Sequence, residues 1–355
     1  MKTIDGSHKS GSGTFVRDVI PFCALAGEPV RIVNIRAKRE KPGLRPQHLK
    51  AIEAATQMCG GKLSGAYVGS GEVHFTPGKN ISGGFYRWDI GTAGSACLLA
   101  LCILPLALYA DNRCEFDITG GLFQDYAPPA FHLKYVLLPL LGRMGIHIDL
   151  NILQPGYVPG GKGRMRMTVS PLKQPAKAIN LDRQGDIIAI EGISLSSHLR
   201  ERKVSSRMAS ACTNELIPKG YSPSITIKHD TRSHPAFQNP AIQPGAALAI
   251  RAHSSTRCII GADMAGARGR PAEQIGRTTA QRLMEDIVSN ATVDRFTGDQ
   301  LIPFVALASG QSCFRIPAFT EHVDSRLWLI STILGASHGY SLKTLTVNGI
   351  SYVRR

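Results

Sequence analysis

The chain has 355 residues, of which 43% are hydrophobic and 19% are charged. This is the mix of a globular protein and excludes a disordered chain, and the length predicts two or three packing units. Lysine and arginine number 41 against 26 acidic residues, which leaves a net charge of +15. Such an excess favours a polyanionic partner, nucleic acid first and an acidic membrane second, although a basic protein with no polyanion to bind stays an alternative.

The cysteines and the apolar runs indicate an intracellular protein. Eight cysteines occur without a CxxC pair, which disfavours a structural zinc site, and they lie in apolar runs as buried thiols do. The start of the chain has no apolar signal core. The longest apolar run, 96–110, contains Pro105 and is too short to cross a bilayer. We expect no membrane partner, and a location in the nucleus of a eukaryote or the cytoplasm of a prokaryote; the oligomeric state is left open.

Three stretches of the chain share one order of signals and indicate an internal repeat. They cover residues 15–78, 95–153 and 299–355. Each predicts a helix, a tight turn, a strand, a loop, a second helix and one or two further strands. In the second stretch, an apolar stripe predicts a helix that starts near Pro129 and that Pro139 kinks. The predicted fold class is therefore α/β (α+β).

A different pattern separates the second stretch from the third. It predicts strands at GDIIAIEGISL, SITIKHD, GAALAIRAHS and RCIIGADMA, and helices near VSSRMASACTNELI and PAEQIGRTTAQRLMEDIV. These elements suffice for a small α+β domain. The predicted domains are 1–183 for the first two repeats, 184–286 for the insert and 287–355 for the third repeat.

A loop rich in glycine and serine, residues 4–17, precedes the first predicted helix and reads IDGSHKSGSGTFVR. Free backbone N–H groups at such a helix start can hold an anion, and Arg17 follows one turn into the helix. Because the pattern is neither GxGxxG nor a P-loop, a flexible N-terminal arm explains it equally well.

A second loop, residues 36–51, concentrates positive charge at the start of the next helix. The basic and polar residues that cluster there are Arg39, Arg45, Gln47 and His48. Guanidinium groups can bind phosphate through two parallel hydrogen bonds. A solvated basic loop is the alternative, and the pattern only slightly favours phosphate binding.

His322 is the third candidate, because it is predicted at the start of a helix beside Glu321 and close to Asp324. A histidine in that setting can act as a nucleophile or a general base. A lone histidine is more often structural or exposed, so the residue types alone make a weak case. His132, on the kinked helix, is predicted to be an ordinary histidine.

Polar residues also lead into the helix of the third repeat. Asp294, Asp299 and Gln300 occur there, and they could cap the helix or orient a ligand or a metal. The sequence pattern does not choose between these roles.

Eight blocks of sequence resemble the RNA 3′-terminal phosphate cyclases and occur in the order of that family. They are IRAKREKPGLRPQHLKAIEAA, GSGEVHFTPG, WDIGTAGS, ITGG…APPAF, GYVPGGKG, RGRPAEQIG, VDRFTGDQLIPFVALASG and TEHVDSRL. The resemblance covers nearly the whole chain and is to true cyclases, since the cyclase-like ribosome-assembly relatives lack the catalytic histidine. It implies three tandem βαβαββ-type repeats with a smaller α+β domain inserted before the third.

The resemblance also implies a reaction. A histidine of the family attacks the α-phosphate of ATP, AMP passes to an RNA 3′-phosphate, and the 2′-OH then displaces AMP to leave a 2′,3′-cyclic phosphate. ATP, a divalent cation (Mg²⁺ or Mn²⁺) and RNA with a 3′-phosphate end are thus implied. His322 matches the catalytic histidine. The positions that match nucleotide- and phosphate-binding residues are Arg17, Arg39, Gln47, Pro129, Phe296, Asp299 and Gln300.

Some positions depart from the family. Ser10 and Thr14 replace an acidic residue and a glutamine, Leu101 replaces a polar residue, Leu122-Phe123 stand where Thr-Asp is usual, and Phe296 stands for a tyrosine. Loss of the acidic residue would weaken cation binding. The alternative function is a catalytically weak or inactive RNA-binding protein of RNA processing or ribosome assembly. A small-molecule transferase ranks last, because it does not explain the block around His322.

Overall fold

Four mixed sheets of four strands each form the framework of the computed structural model, which describes residues 1–353. The first sheet is built from the elements β1 (Lys2–Asp5), α1 (Thr14–Ala26), β2 (Val30–Val33), α2 (Pro46–Met58), β3 (Lys62–Ser64) and β4 (Val73–Thr76). Its order is β1-β2-β4-β3, and only β1 and β2 are parallel. Helix α1 ends where Gly27 takes a left-handed φ of 71°, which glycine adopts at little cost.

The second sheet repeats this order as β5-β6-β8-β7, again with the first pair parallel. Its elements are β5 (Gly84–Asp89), α3 (Ala96–Ala107), β6 (Cys114–Gly120), α4 (Ala130–His132), α5 (Leu138–Arg143), β7 (Ile148–Gln154) and β8 (Gly163–Val169). Pro129 precedes α4 as predicted. A π-helical turn, Leu133–Leu137, joins α4 to α5 just before Pro139, whose missing N–H disrupts the regular hydrogen-bond ladder.

The inserted segment has a sheet of its own, with the order β11-β10-β12-β13. The elements from here to the last helix of the insert are β9 (Asn180–Leu181), β10 (Ile187–Ser197), α6 (Val204–Leu216), β11 (Ser224–Asp230), β12 (Gly245–Ser254), β13 (Ile259–Ala265) and α7 (Ala272–Val288). Helices α6 and α7 pack on each other and on this sheet around a separate apolar cluster that includes Met208, Leu248 and Leu283. All the strands and helices predicted for the segment are present.

The third main sheet has the order β9-β14-β16-β15, with β9 parallel to β14. Its remaining elements are α8 (Thr297–Gln300), α9 (Ile302–Leu307), β14 (Ser309–Arg315), α10 (Glu321–Leu329), β15 (Ser337–Ser341) and β16 (Thr344–Ile350). Strand β9 precedes residue 184 in the chain but pairs with the third sheet. The domain boundaries at 183 and 286 stay predictions.

The mixed α/β fold class is confirmed. The tandem repeat of the sequence stays a prediction, which the shared strand order of the three main sheets supports. All eight cysteines are free thiols, and seven of them are buried. Across residues 1–353, none of the helices combines the length and the apolar character that a membrane crossing requires.

The helices of the three main sheets pack on one another. Helix α3 is apolar on every side, so it is buried between α1 and α2, and α1 also contacts α10. One buried apolar cluster, which includes Phe15, Leu99 and Leu327, runs through this layer. The contact between α1 and α10 brings the glycine-serine loop to the block that carries His322.

Candidate functional site

Helices α1 and α10 lie side by side with their N-termini together. Thr14, the first residue of α1, meets His322, the second residue of α10: Thr14 Oγ1 lies 3.3 Å from His322 Nδ1. One turn further along both helices, Arg326 Nε donates to Asp18 Oδ2 at 2.8 Å. Two helix N-termini, each with a partial positive charge, therefore converge at His322.

A buried serine network joins the two helix starts. Ser10 N donates to Ser325 Oγ at 3.2 Å, and the two hydroxyls lie 2.9 Å apart. Ser12 Oγ accepts from Thr14 N at 3.2 Å, so the loop turns directly into α1. Ser10, which departs from the family's acidic residue, is thus a packing contact between the loop and α10, and the loop is an ordered part of the site.

Asp299 of α8 lies against this pair of helices. Arg326 Nη1 donates to Asp299 O at 2.6 Å and lies 3.3 Å from Asp299 Oδ2. Gln300 Nε2 donates to Asp299 Oδ1 at 3.3 Å. Burial raises the pKa of Asp299, while Arg326 and His322 lower it. The predicted Asp299-Gln300 pair is therefore held against α10 by a buried arginine.

Desolvation and neighbouring arginines lower the pKa of His322, which favours a neutral imidazole. The residue is exposed, but protein packed around the ring lowers its pKa by desolvation; Asp299 opposes this, and Arg326, Arg17 and Arg39 lower the pKa further. A neutral ring has one nitrogen lone pair. In the tautomer that carries the proton on Nδ1, this nitrogen donates to Thr14 Oγ1 and the lone pair lies on Nε2, which is the form a nucleophilic histidine needs.

The predicted cations lie around the same loop. Arg17 is buried in α1, and Arg39 Nη2 donates to Ser10 O at 3.3 Å. A Cβ added at Gly13 would come within 2.2 Å of His48 Nε2 and 2.9 Å of Arg17 Nη1, so glycine is required there. Burial, followed by the charge of Arg17, lowers the pKa of His48 to about 2. His48 is therefore a neutral acceptor, which takes a hydrogen bond from Arg45 N at 3.2 Å.

Gln47 has a positioning contact rather than a contact with His322. Its Oε1 accepts from Ser95 N at 2.9 Å, which ties the start of α2 to the start of α3. Ser95 in turn caps α3 by accepting from Leu98 N at 3.1 Å. Leu101, further along α3, is buried at 9% exposure.

Pro129 and Phe296 form a second group that is linked by His132. The Phe296 ring is 38% exposed and meets His132 edge-on, with ring centroids 6.3 Å apart. His132 lies in α4, directly after Pro129 and Ala130–Phe131. His132 Nε2 lies 3.0 Å from Thr297 Oγ1, so it holds the chain that carries Phe296 and leads to Asp299.

His132 is a buried cation and not an ordinary histidine. Its Nδ1 lies 3.3 Å from Asp263 and its Nε2 lies 3.5 Å from Asp294. Burial alone would lower its pKa, but Asp294, Asp263 and Asp286 raise it to about 9. The residue thus joins α4, the inserted sheet and the chain before α8 through charge.

The remaining departures from the family pack as apolar residues. Leu122 is buried at 1% exposure, and the Phe123 ring lies 4.7 Å from Phe131 and 5.6 Å from Tyr157. Within residues 1–353, no group of three or more His, Cys, Asp or Glu side chains is arranged to hold a metal ion.

The sequence pattern missed Asp18, Arg326 and the charge on His132. Asp18 and Arg326 are charged residues one turn into helices that are otherwise packed against the core, and that signal could have marked them. No spacing marks His132, because its carboxylate partners lie more than a hundred residues further along the chain.

Comparisons with known proteins place this arrangement in a family. The family model described as RNA 3′-terminal phosphate cyclase matches residues 8–339. A curated RNA 3′-terminal phosphate cyclase of Caldivirga maquilingensis is 36% identical over 360 residues, with 100% of both chains covered. That of Pyrococcus furiosus is 38% identical over 336 residues, with 94% of both chains covered. The chain belongs to the RNA 3′-terminal phosphate cyclase family.

One solved structure shows a weak likeness to this chain. The enolpyruvyl transferase NikO from Streptomyces tendae shares 12% sequence identity and a TM-score of 0.28, with 98% of this chain and 51% of that chain covered. A likeness of this size carries no argument about fold or function.

Proposed function

We propose that the protein is an RNA 3′-terminal phosphate cyclase that uses ATP to convert a 3′-phosphate into a 2′,3′-cyclic phosphate through an AMP group on His322. One observation carries the proposal: His322 stands at two converging helix N-termini, with Nδ1 in contact with Thr14 and with its pKa lowered by desolvation and by nearby arginines. Membership of the family agrees with it.

In the first step, the Nε2 lone pair of His322 attacks the α-phosphorus of ATP. The N–P bond forms, the bond from the α-phosphorus to the bridging oxygen breaks, and pyrophosphate leaves with the electron pair. The Nδ1 proton stays on the ring and its hydrogen bond to Thr14 holds the ring in place. Arg17 and Arg39 stabilise the added negative charge together with the N–H groups at the helix starts.

In the second step, an oxygen of the RNA 3′-phosphate attacks the phosphorus of the AMP group. The N–P bond breaks and His322 is regenerated as a neutral ring. In the third step, the adjacent 2′-OH attacks the activated 3′-phosphorus and gives up its proton to solvent, while AMP leaves. Negative charge also builds up on phosphate oxygens in the second and third steps. The same cations therefore stabilise all three steps.

Two groups of residues would share the nucleotide. Arg17 and Arg39 take the phosphates, while Phe296 and Pro129 bound the nucleoside through an exposed ring and a rigid loop. Asp299 and Gln300 lie between these groups. Gln47 supports the phosphate side by fixing the start of α3. A Mg²⁺ or Mn²⁺ ion would be held largely by ATP phosphates and water, as Mg²⁺ commonly is.

An adenylation assay tests the proposal. The protein is incubated with ATP radiolabelled at the α-phosphate and with Mg²⁺ or Mn²⁺, and the label that survives denaturing electrophoresis is counted. We expect a labelled wild type and an unlabelled His322→Ala variant, while exposed His147→Ala serves as the matched control and keeps its label. No label on the wild type with either metal, or label that persists in His322→Ala, would overturn the mechanism.

A non-catalytic RNA-binding protein is the second candidate, because Ser10, Thr14 and Leu122 replace polar family residues and Leu122 is buried in an apolar cluster. It predicts that RNA bearing a 3′-phosphate binds equally well to wild type and His322→Ala, with no ATP consumed. Formation of a cyclic end by wild type alone would eliminate it.

A further inference from the structure

A cleft of about 470 Å³ opens where the inserted segment meets the second sheet. Two of the sequence blocks that resemble the family line this cleft, and the proposed reaction assigns no role to either block. The block GYVPGGKG provides Tyr157, Val158 and Pro159 on one wall, and the block RGRPAEQIG provides residues 268–272 and Ile275 on the other. None of the described lining residues is one to which the reaction assigns a role, so the cleft is a separate site.

Four arginines line this cleft, namely Arg202, Arg207, Arg268 and Arg270, and no carboxylate is among its described lining residues. Arg207 is neutralised by Glu273, to which its Nε and Nη2 donate at 2.6 and 2.8 Å. Arg270 is paired with Asp125 at 2.9 Å. Arg202 and Arg268 are exposed and have no ion pair in the part of the chain that the structure describes, so two guanidinium groups are free for a ligand.

The walls of the cleft are ordered before any ligand enters. Tyr157 is buried at 2% exposure, and its hydroxyl lies 2.9 Å from Ser197 Oγ. A Cβ at Gly245 would come within 2.2 Å of the Tyr157 ring, so the strand and the ring are in close contact. Helices α6 and α7 also begin at the cleft, which adds to its positive potential.

The cleft is joined to the proposed nucleotide site by one short loop. Asp125, the partner of Arg270, lies in the loop that ends at Pro129. Phe123 of the same loop packs against Tyr157 of the cleft wall, with ring centroids 5.6 Å apart. An extended polymer that enters the nucleotide site can therefore continue along this loop into the cleft.

We propose that the cleft binds the sugar–phosphate backbone of the RNA substrate upstream of its 3′ end, with Arg202 and Arg268 each contacting phosphate. This inference rests on the proposed function only in taking RNA as the substrate. Free guanidinium groups in a concave basic site match the repeated phosphates of a single strand. An acidic membrane does not fit, because a flat bilayer surface cannot enter a cleft of this shape.

The test uses the double variant Arg202→Gln/Arg268→Gln in the full chain. The matched control is Arg113→Gln/Arg183→Gln, which removes two exposed arginines from the far ends of β6 and of the inserted sheet. Fluorescence anisotropy measures the binding of a 20-nucleotide RNA with a 3′-phosphate, and of a 3′-phosphorylated dinucleotide, over a series of salt concentrations. Neither pair of substitutions removes a buried contact, so both proteins should fold.

We expect the cleft variant to bind the 20-mer about tenfold more weakly, since charged hydrogen bonds to two phosphates are lost. The salt slope of log affinity should fall by about 1.4, because each phosphate contact to a single strand contributes about 0.7. Binding of the dinucleotide and formation of the His322 adenylate should match the wild type. For the control variant, the loss of affinity for the 20-mer should be less than half of the loss measured for the cleft variant.

Three results would overturn the proposal: unchanged binding of the 20-mer, an equal loss for the control, or an equal loss for the dinucleotide. The last would mean that the cleft binds a terminal phosphate or free nucleotide instead. A wild type that forms no adenylate would refute the proposed reaction and leave the binding comparison intact, so the two failures are distinguishable.

Discussion

Two histidines, His322 and His132, show how the same side chain is put to opposite uses in two regions of the molecule. His322 is exposed at the start of α10, where desolvation and nearby arginines lower its pKa. His132 is buried at the junction of α4 and the inserted sheet, where three carboxylates outweigh desolvation and raise its pKa to about 9. The neutral ring suits a nucleophile, and the charged ring suits a structural link. The difference comes from the sign of the neighbouring charges and not from the degree of burial alone.

The largest effect should come from His322→Ala. Loss of the nucleophile should reduce formation of the adenylate at least ~10⁴-fold, as is typical when a nucleophile is removed. Because the side chain is exposed, the free energy of unfolding should change by less than ~0.5 kcal/mol. Radiolabel transfer and urea denaturation of the same samples measure the two quantities. If the loss in the free energy of unfolding were large enough to account for the loss of adenylate formation, His322 would have a structural role instead.

His132→Gln should instead act mainly on the free energy of unfolding. It leaves the partly buried Asp263 and the buried Asp294 without their cation, and breaking a buried ion pair in this way costs ~3–5 kcal/mol. Urea denaturation should show this loss, with exposed His147→Gln as the unaffected control. A loss below ~1 kcal/mol would contradict a charged His132.

The stability of the wild type should fall at alkaline pH. The folded pKa of His132, about 9, lies above the ordinary value of 6.5, so its contribution is complete below pH 6.5 and is lost as the pH rises through 9. The amount is on the order of 3 kcal/mol. Denaturation measured from pH 6 to pH 10 should show this decline in the wild type and a smaller one in His132→Gln. If the stability of the wild type and of His132→Gln fell in parallel with rising pH, His132 would be excluded as the titrating group.

Thr14→Val should slow adenylate formation about tenfold, because in the proposed tautomer the Nδ1–H of His322 loses its acceptor and the lone pair is no longer confined to Nε2. Thr14→Ser keeps the hydroxyl and should stay within about twofold of the wild type. Single-turnover label transfer compares the three proteins. Equal rates for the valine and serine variants would show that Thr14 does not set the tautomer.

The smallest effect concerns the pH dependence of adenylation. Because the pKa of His322 is lowered from 6.5, the rate should hold on acidification through pH 6.5 and fall only at lower pH, where the ring becomes protonated. Arg39→Gln removes one of the cations that lower this pKa and should move the fall towards higher pH. A shift in the opposite direction would show that Arg39 does not act on His322 through its charge.

Periodicity predicted most of the local structure. The apolar stripe after Pro129 forms a buried helix, and the elements of the inserted segment lie where the pattern places them. Strand β9 is the exception, since two residues carry too little pattern to be recognised. Its pairing with β14 depends on a partner more than a hundred residues away.

The candidate site, too, could be predicted from the sequence only in part, and the rest depends on tertiary contacts. Residue types and resemblance singled out His322, Arg17, Arg39 and Asp299, and in the folded chain the charges of the last three act on the pKa of His322. Their roles in catalysis stay proposals. The resemblance also marked Ser10 and Leu122 as departures, but only packing shows that one is bonded to Ser325 and that the other is buried in the apolar core.

The sequence by itself determined the helices, the strands, the excess of positive charge and the family, because these depend on composition, periodicity and motifs along the chain. Tertiary structure decided which hydroxyl meets His322 Nδ1, why the pKa of His132 is raised and that two arginines without an ion pair among the described residues line one cleft. Protonation and ligand binding depend on the distances between charges in space. Those distances arise only when segments far apart in sequence pack together.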